Sequence, residues 1–293
     1  MTKQSKAEAA LLVTTLVWAS TFVAMKIALR DISPILMTAI RFVIASSFIL
    51  LLFRKRIFPL SYDAMKKGCW LALVLFLGFI AQNVGLNHTT ASKSAFISSL
   101  MVVFVPVFQF IIEKRMPTWG NVLGIVIVVS GLWLLTSPSG SEFNVGDALT
   151  LVCAVIFGYY IVYLDIASQA MTPLQLTFLQ FVVCAALGLV TSFGFENIVF
   201  QPTSSMLIAV GYLTVFATVI TTLVQTTFQK DTTPTRAGVI FAIEPVWASL
   251  YAYIILGETL GMLGIVGGGL ILVGVLVSEL SDRIPILNRA FRS

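Results

Sequence analysis

Arg41 and Glu244 are charged residues set inside long apolar runs, and each is a candidate for chemistry by position alone. A charge at the centre of a membrane costs about 2.5–3.5 kcal/mol on insertion scales, so a side chain kept there needs a partner or a task. From the near end of its run, Arg41 lies about 9 Å deep and Glu244 about 14 Å deep, at 1.5 Å per helical residue. The two either pair with each other or each face a cavity. In a cavity, Arg41 attracts an anionic group of a solute, while Glu244 holds a cationic group or exchanges a proton. Helical spacing sets Ile240, Glu244, Trp247 and Tyr251 on one face, and an acid beside aromatic rings suits an amine or quaternary cation.

Uncharged polar residues extend the set. Gln82 with Asn83, and Gln225 at the end of a stripe through Thr214, Thr218, Thr221 and Thr222, are expected to face the protein interior or a pathway rather than lipid. Trp18 and Phe22 stand one turn apart in the first apolar run, and Trp18 is a further pathway candidate. Catalytic parts are missing from the sequence. There is a single histidine, His88, at the end of a run, and no His-Glu-x-x-His, Gly-x-Ser-x-Gly or Gly-x-x-x-x-Gly-Lys-Ser/Thr pattern. No catalytic residue, metal or cofactor is therefore expected. Cys69, Cys153 and Cys184 fall in or beside apolar runs at unrelated spacings and read as buried thiols.

The elements that carry these residues come from composition. The 293 residues are 58% hydrophobic and 11% charged, where a soluble domain has about 25% charged residues. Mean hydropathy is +0.98. The lipid bilayer is therefore the chain's solvent. Ten segments approach the ~20 residues a spanning helix needs: 7–29, 35–53, 68–87, 91–112, 119–137, 147–168, 172–195, 204–228, 235–256 and 260–279. The first is too long for a signal-peptide core of about 7–15 residues.

Lysines and arginines fall in alternate connections: Lys3 and Lys6, Arg54 to Arg56 with Lys66 and Lys67, Lys114 and Arg115, Lys230 and Arg236, then Arg283, Arg289 and Arg292. The opposite connections hold Glu142, Asp147, Glu196 and Glu258 with only Lys26, Arg30 and Lys93. Positive charge gathers on the cytoplasmic side, which puts both termini there and argues against nucleic acid as a partner. The short connections suit a bacterial or archaeal plasma membrane.

The chain is also one unit written twice. Residues 232–246, TTPTRAGVIFAIEPV, repeat residues 89–103, TTASKSAFISSLMVV, at a spacing of 143. Gln225 falls on Gln82, Glu244 on Met101, and Gly267 and Gly274 on Gly124 and Gly131. Upstream the spacing is 139, with Pro173 falling on Pro34 and Gln180 on Arg41. The expected fold is all-α, ten transmembrane helices in two repeats, 7–137 and 147–279, followed by a cytoplasmic tail, 280–293. Five is odd, so the second repeat enters from the opposite side and the two are inverted. Inverted repeats recur in secondary transporters, with solute bound near the midplane between the halves. Pro106 and Pro245 are expected to kink the fourth and ninth helices. Gly120-x-x-x-Gly124 and Gly264-x-x-x-Gly268 allow close packing, either between the repeats or between two copies in a homodimer.

Residues 18–22 (WASTF), 89–97 (TTASKSAFI) and 235–248 (TRAGVIFAIEPVWA), followed by Leu256-Gly257-Glu258, resemble the EamA family of the drug/metabolite transporter superfamily over nearly the whole chain. The resemblance implies a ten-helix transporter of the cytoplasmic membrane; relatives export amino acids, other metabolites or toxic cations. The expected function is export of a small metabolite or amino acid by alternating access. A receptor or structural membrane protein, and more remotely a membrane enzyme, are the alternatives.

Overall fold

The structure is a computed structural model that describes residues 2–114, 119–136, 143–241 and 243–283. Arg115, the Ser-Pro-Ser-Gly connection at 137–140, Glu142, and Arg289 and Arg292 in the tail lie outside the described residues. Everything regular in the described chain is helical: α1 (Lys3–Ala28), α2 (Pro34–Ile57), α3 (Tyr62–His88), α4 (Ala91–Ser98), α5 (Met101–Glu113), α6 (Trp119–Thr136), α7 (Val145–Ser168), α8 (Pro173–Phe195), α9 (Ser204–Tyr212), α10 (Thr221–Phe228), α11 (Pro234–Phe241), α12 (Glu244–Leu256) and α13 (Met262–Arg283). Seven helical stretches are long and apolar enough to cross a membrane, among them α4–α5 taken together and Ser204–Asp231, which contains α9 and α10. Shorter apolar helices lie at Val122–Gly131 and Met262–Gly274.

The helices begin where side chains satisfy the first free amides. Thr2, Ser61, Thr90 and Thr203 accept from the amide three residues on, and Asn144 with Asp147 and Thr172 with Gln175 form reciprocal capping boxes. Pro34 and Pro173 open α2 and α8, where a missing N–H removes no helical bond. Two helix starts also receive an acid from far along the chain. Glu196 accepts from the amides of Ile35 and Leu36, and Glu258 from those of Ala91 and Ser92, as the positive end of a helix favours.

The fourth and ninth expected spans are each broken in two. The interruption after Ser98 is tightened by three-residue hydrogen bonds, Leu100 N to Ile97 O and Val103 N to Leu100 O. The same two bonds recur 143 positions later as Ile243 N to Ile240 O and Val246 N to Ile243 O. In the second case Pro245 sits in the first turn of α12, as expected. In the first, Pro106 lies inside α5, and the break falls instead at the Ser98-Ser99 pair, whose hydroxyls bond back to Ser94 and Phe96 carbonyls. Paired serines compete for backbone carbonyls and bend helices. Both broken spans end in a left-handed residue, Lys114 (φ 59) and Gly257 (φ 68).

Packing follows the same doubling. The most extensive contacts are α6 with α13, α3 with α7 and α2 with α8, while α1 lies against α9, α10, α11 and α12. At the α6–α13 seam, a Cβ on Gly131 would lie 2.6 Å from the Gly267 carbonyl, and one on Gly274 would lie 2.7 Å from that of Gly124. The small residues thus join the two halves of one chain. Large side chains on the outside are apolar, such as Leu51 (81% exposed) and Phe195 (87% exposed), the surface of a multi-pass membrane protein in lipid.

Candidate functional site

Helices α1, α2, α3, α7 and α10, with the breaks at Ser98–Met101 and Phe241–Glu244, line a cavity of about 90 Å³. Its walls come in repeat-related pairs. Trp18 faces it with Phe157, Thr21 with Tyr160, Phe22 with Ile161, Phe79 with Thr222, Gln82 with Gln225, Ser98 with Phe241, and Met101 with Glu244. The first three pairs are 139 positions apart and the other four 143. The cavity therefore lies where equivalent surfaces of the two units meet.

Arg41 enters this cavity from α2. It is 1% exposed, donates from Nη2 to Thr218 Oγ1 at 3.0 Å, and has its Cζ 5.4 Å from the centre of the Phe79 ring. Its Nε and Nη1 have no hydrogen-bond partner among the described residues. Thr218 is held in turn by the Leu213 carbonyl, five residues back, within a π-helical segment, Leu213–Ile220, between α9 and α10. Such segments are rare and frequent at functional sites; nothing in the sequence of threonines announced this one. Glu244 reaches the cavity as the first residue of α12. Arg41 and Glu244 share the space without pairing, so among the described residues the cavity holds one guanidinium and one carboxylate, neither in an ion pair.

Of the other expected residues, Trp18, Gln82 and Gln225 line the cavity. Gln225 Nε2 also donates to Gln229, whose own Nε2 donates to the Ile161 carbonyl. Asn83 is fully buried beside α2, donating to Thr38 Oγ1 at 2.7 Å, and is not on the wall. Nor are Trp247 and Tyr251. Only the first turn of α12 reaches the cavity, and by Trp247 the helix has run outward, leaving that ring 36% exposed. Aromatic residues beside the two charges come instead from Trp18, Phe79, Phe157, Tyr160 and Phe241. Trp18 meets Phe241 edge-on at 5.0 Å and Phe79 meets Phe157 at 5.7 Å. Their signal was present in the repeat: each is the mate of another wall residue. His88 is exposed at the end of α3, and the three cysteines are free thiols, Cys153 and Cys184 buried. Among the described residues no three His, Cys, Asp or Glu side chains gather as metal ligands. The wall can hold a small solute by charge, amide and ring contacts.

Comparison with known proteins agrees with this. An uncharacterized transporter of Archaeoglobus fulgidus is 32% identical over 282 residues, 95% of this chain and 87% of the relative. The uncharacterized transporter YoaV of Bacillus subtilis is 24% identical over 90% of this chain and 93% of its own length, and protein PagO of Salmonella typhimurium 23% over 94% and 93%. A solved crystal structure superposes with a TM-score of 0.76 at 19% identity, covering 96% of this chain and 98% of the other, a likeness of fold. The sequence profile of the EamA-like transporter family matches twice, over residues 5–137 and 144–280. The chain belongs to the EamA-like transporter family and is a membrane transporter, not an enzyme.

Proposed function

We propose that the chain is a secondary transporter that exports a small metabolite or amino acid across the cytoplasmic membrane. It works by alternating access of two inverted five-helix repeats, with both termini in the cytoplasm. Adding α6, α13 and the α11–α12 pair to the seven longer spans supports ten crossings. The observation that carries the reading is the paired lining of the cavity. Seven pairs of equivalent residues face one space, as expected for a solute site on the axis between inverted halves. The solute contacts are assigned to Trp18, Arg41, Gln82, Gln225 and Glu244, with Glu244 as the group that binds a cationic moiety or trades a proton with the gradient. The broken helices supply bending points at the same depth as the site.

Flux in proteoliposomes tests this, with a mixed pool of amino acids and organic cations, with and without an imposed pH gradient, for wild type and Glu244→Gln. Gradient-driven flux lost in the variant supports Glu244 as the coupling or binding group. Equal flux in both proteins makes Glu244 structural and leaves transport standing. No flux from folded wild type sinks the reading in favour of a receptor or structural role.

A further inference from the structure

The cavity holds a cation whose hydrogen-bonding capacity is largely unused. Arg41 is 1% exposed, uses Nη2 on Thr218, and has no acceptor for Nε or Nη1 among the described residues. Buried donors left bare are costly, and each such group calls for an explanation. A guanidinium presents its donors in one plane, a geometry that fits the two oxygens of a carboxylate. The Phe79 ring lies against it, and Trp18, Phe157 and Phe241 line the same cavity, surfaces that suit a flat or apolar body. Resting on the transport reading above, we infer that Arg41 is the recognition point for an organic carboxylate with an apolar, ring-sized body. The competing ligand is an ammonium held by Glu244, but the unused donors lie on Arg41.

Thermal shift and calorimetry on the full chain in detergent decide it, using carboxylates from acetate to 3-phenylpropionate and indole-3-propionate, each beside its primary amide and a chain-matched trimethylammonium, with chloride as the inorganic control. At least one carboxylate should bind roughly ten- to a hundredfold more tightly than its amide. Arg41→Lys should keep part of that preference and Arg41→Met should erase it. The comparison of ligands on wild type needs no variant to fold. Binding of ammonium members only, equal binding of acid and amide, binding of chloride alone, no binding at all, or a preference that survives Arg41→Met would each overturn the assignment. Ammonium-only binding would sink the carboxylate while leaving transport intact, and flux measured separately distinguishes the two failures.

A second observation is independent of the cavity's chemistry. Arg236 Nη1 lies 3.2 Å from Glu8 Oε1, joining α11 to α1, and Lys93 Nζ lies 2.6 Å from Asp147 Oδ2, joining α4 to α7. Lys93 and Arg236 are 143 positions apart, Glu8 and Asp147 139, so each ion pair is the repeat mate of the other. They sit at opposite ends of α1. Glu8 is near its start, while Lys26 in its last turn donates to the carbonyls of Leu86 and Thr89, and Thr89 Oγ1 donates to Asp147. The rise from Glu8 to Lys26 is about 27 Å at 1.5 Å per residue, close to the ~30 Å hydrocarbon core. The environments differ: Lys93 and Asp147 are 9% and 0% exposed, Arg236 and Glu8 28% and 22%.

We propose that the two pairs are opposed gates of the cavity, each holding one end shut and parting when that end opens. The test places a cysteine at Gln82 in a chain whose Cys69, Cys153 and Cys184 are alanine, and labels it with a membrane-impermeant maleimide from each side of oriented vesicles. Arg236→Gln should raise labelling from the side of the N-terminus and lower it from the other, and Lys93→Gln should do the reverse. The charge-swapped pair Lys93→Asp with Asp147→Lys should return labelling toward the parent. General destabilisation would move both variants in one direction, so shifts of the same sign, or none, refute the gates.

Discussion

Glu258 shows how much one side chain can organise. It leaves the end of α12, crosses to the start of α4, and accepts from the Ala91 and Ser92 amides at 3.0 Å each and from the Ser92 hydroxyl at 2.9 Å. An anion on a helix N-terminus combines capping with a favourable dipole interaction. Glu258→Ala should lower stability by about 1–3 kcal/mol, read as a lower midpoint of thermal unfolding in detergent. Glu258→Gln, which keeps one acceptor, should lose less. An unchanged midpoint in Glu258→Ala would show these bonds to be incidental. The sequence placed Glu258 among the acids of one side but not on a helix, because its partners lie 166 and 167 positions away and local motifs cannot see that far. Arg41, Glu244, Gln82 and Gln225 were legible for the opposite reason. A polar group in an apolar run is conspicuous without any partner. Asn83 was equally conspicuous, yet it turns its amide nitrogen to Thr38, away from the cavity wall, and no pattern in one sequence separates those two fates.

Among the elements, the α6–α13 pair makes the most extensive contact between the two units. Its glycines are not interchangeable. On Gly131 a new Cβ would meet the Gly267 carbonyl oxygen at 2.6 Å and the Ile271 nitrogen at 2.8 Å, whereas on Gly269, on the outer side of α13, it would meet nothing within 4 Å. Backbone atoms cannot step aside as a flexible side chain can. Gly131→Ala should therefore cost about 1–3 kcal/mol through forced separation of the helices. Gly269→Ala should be neutral or gain about 0.5–1 kcal/mol from helix propensity. Thermal unfolding of the two variants side by side checks this, and equal midpoints would refute the seam as drawn. Close packing was expected of Gly120-x-x-x-Gly124 and Gly264-x-x-x-Gly268, whereas the seam brings Gly131 to Gly267 and Gly274 to Gly124, and Gly268 meets the Phe96 ring instead; spacing describes one surface and not the surface it meets. The broken spans were half legible for a similar reason. Pro245 marks its break, but the Ser98-Ser99 interruption lies seven residues upstream of Pro106 and competes through hydroxyls, a weaker signal than a missing N–H. The π-helical segment that seats Thr218 left no sequence mark, because one extra residue in a turn changes register without changing composition.

At the scale of the whole molecule, the cavity is nearly symmetric in position and asymmetric in charge. Met101 and Glu244 are equivalent residues facing the same space, each opening the helix that follows a break, yet only one is an acid. If the halves are inverted about the cavity, moving the carboxylate from one unit to the other keeps it at the site and changes mainly the end from which it is approached. Glu244→Met alone should lower the initial rate of solute flux in proteoliposomes by roughly tenfold or more, the scale of removing one charged hydrogen-bonding group. Adding Met101→Glu should recover part of that rate. The recovery need not be complete, because Arg41 has Gln180 as its mate, held by the Tyr160 hydroxyl, and so does not move with the acid. A double variant as slow as Glu244→Met, with both proteins folded, would mean that the acid acts through its place in the second unit rather than through the shared cavity. Partial rescue would place its action in the space between the units, where the pairing of the walls points.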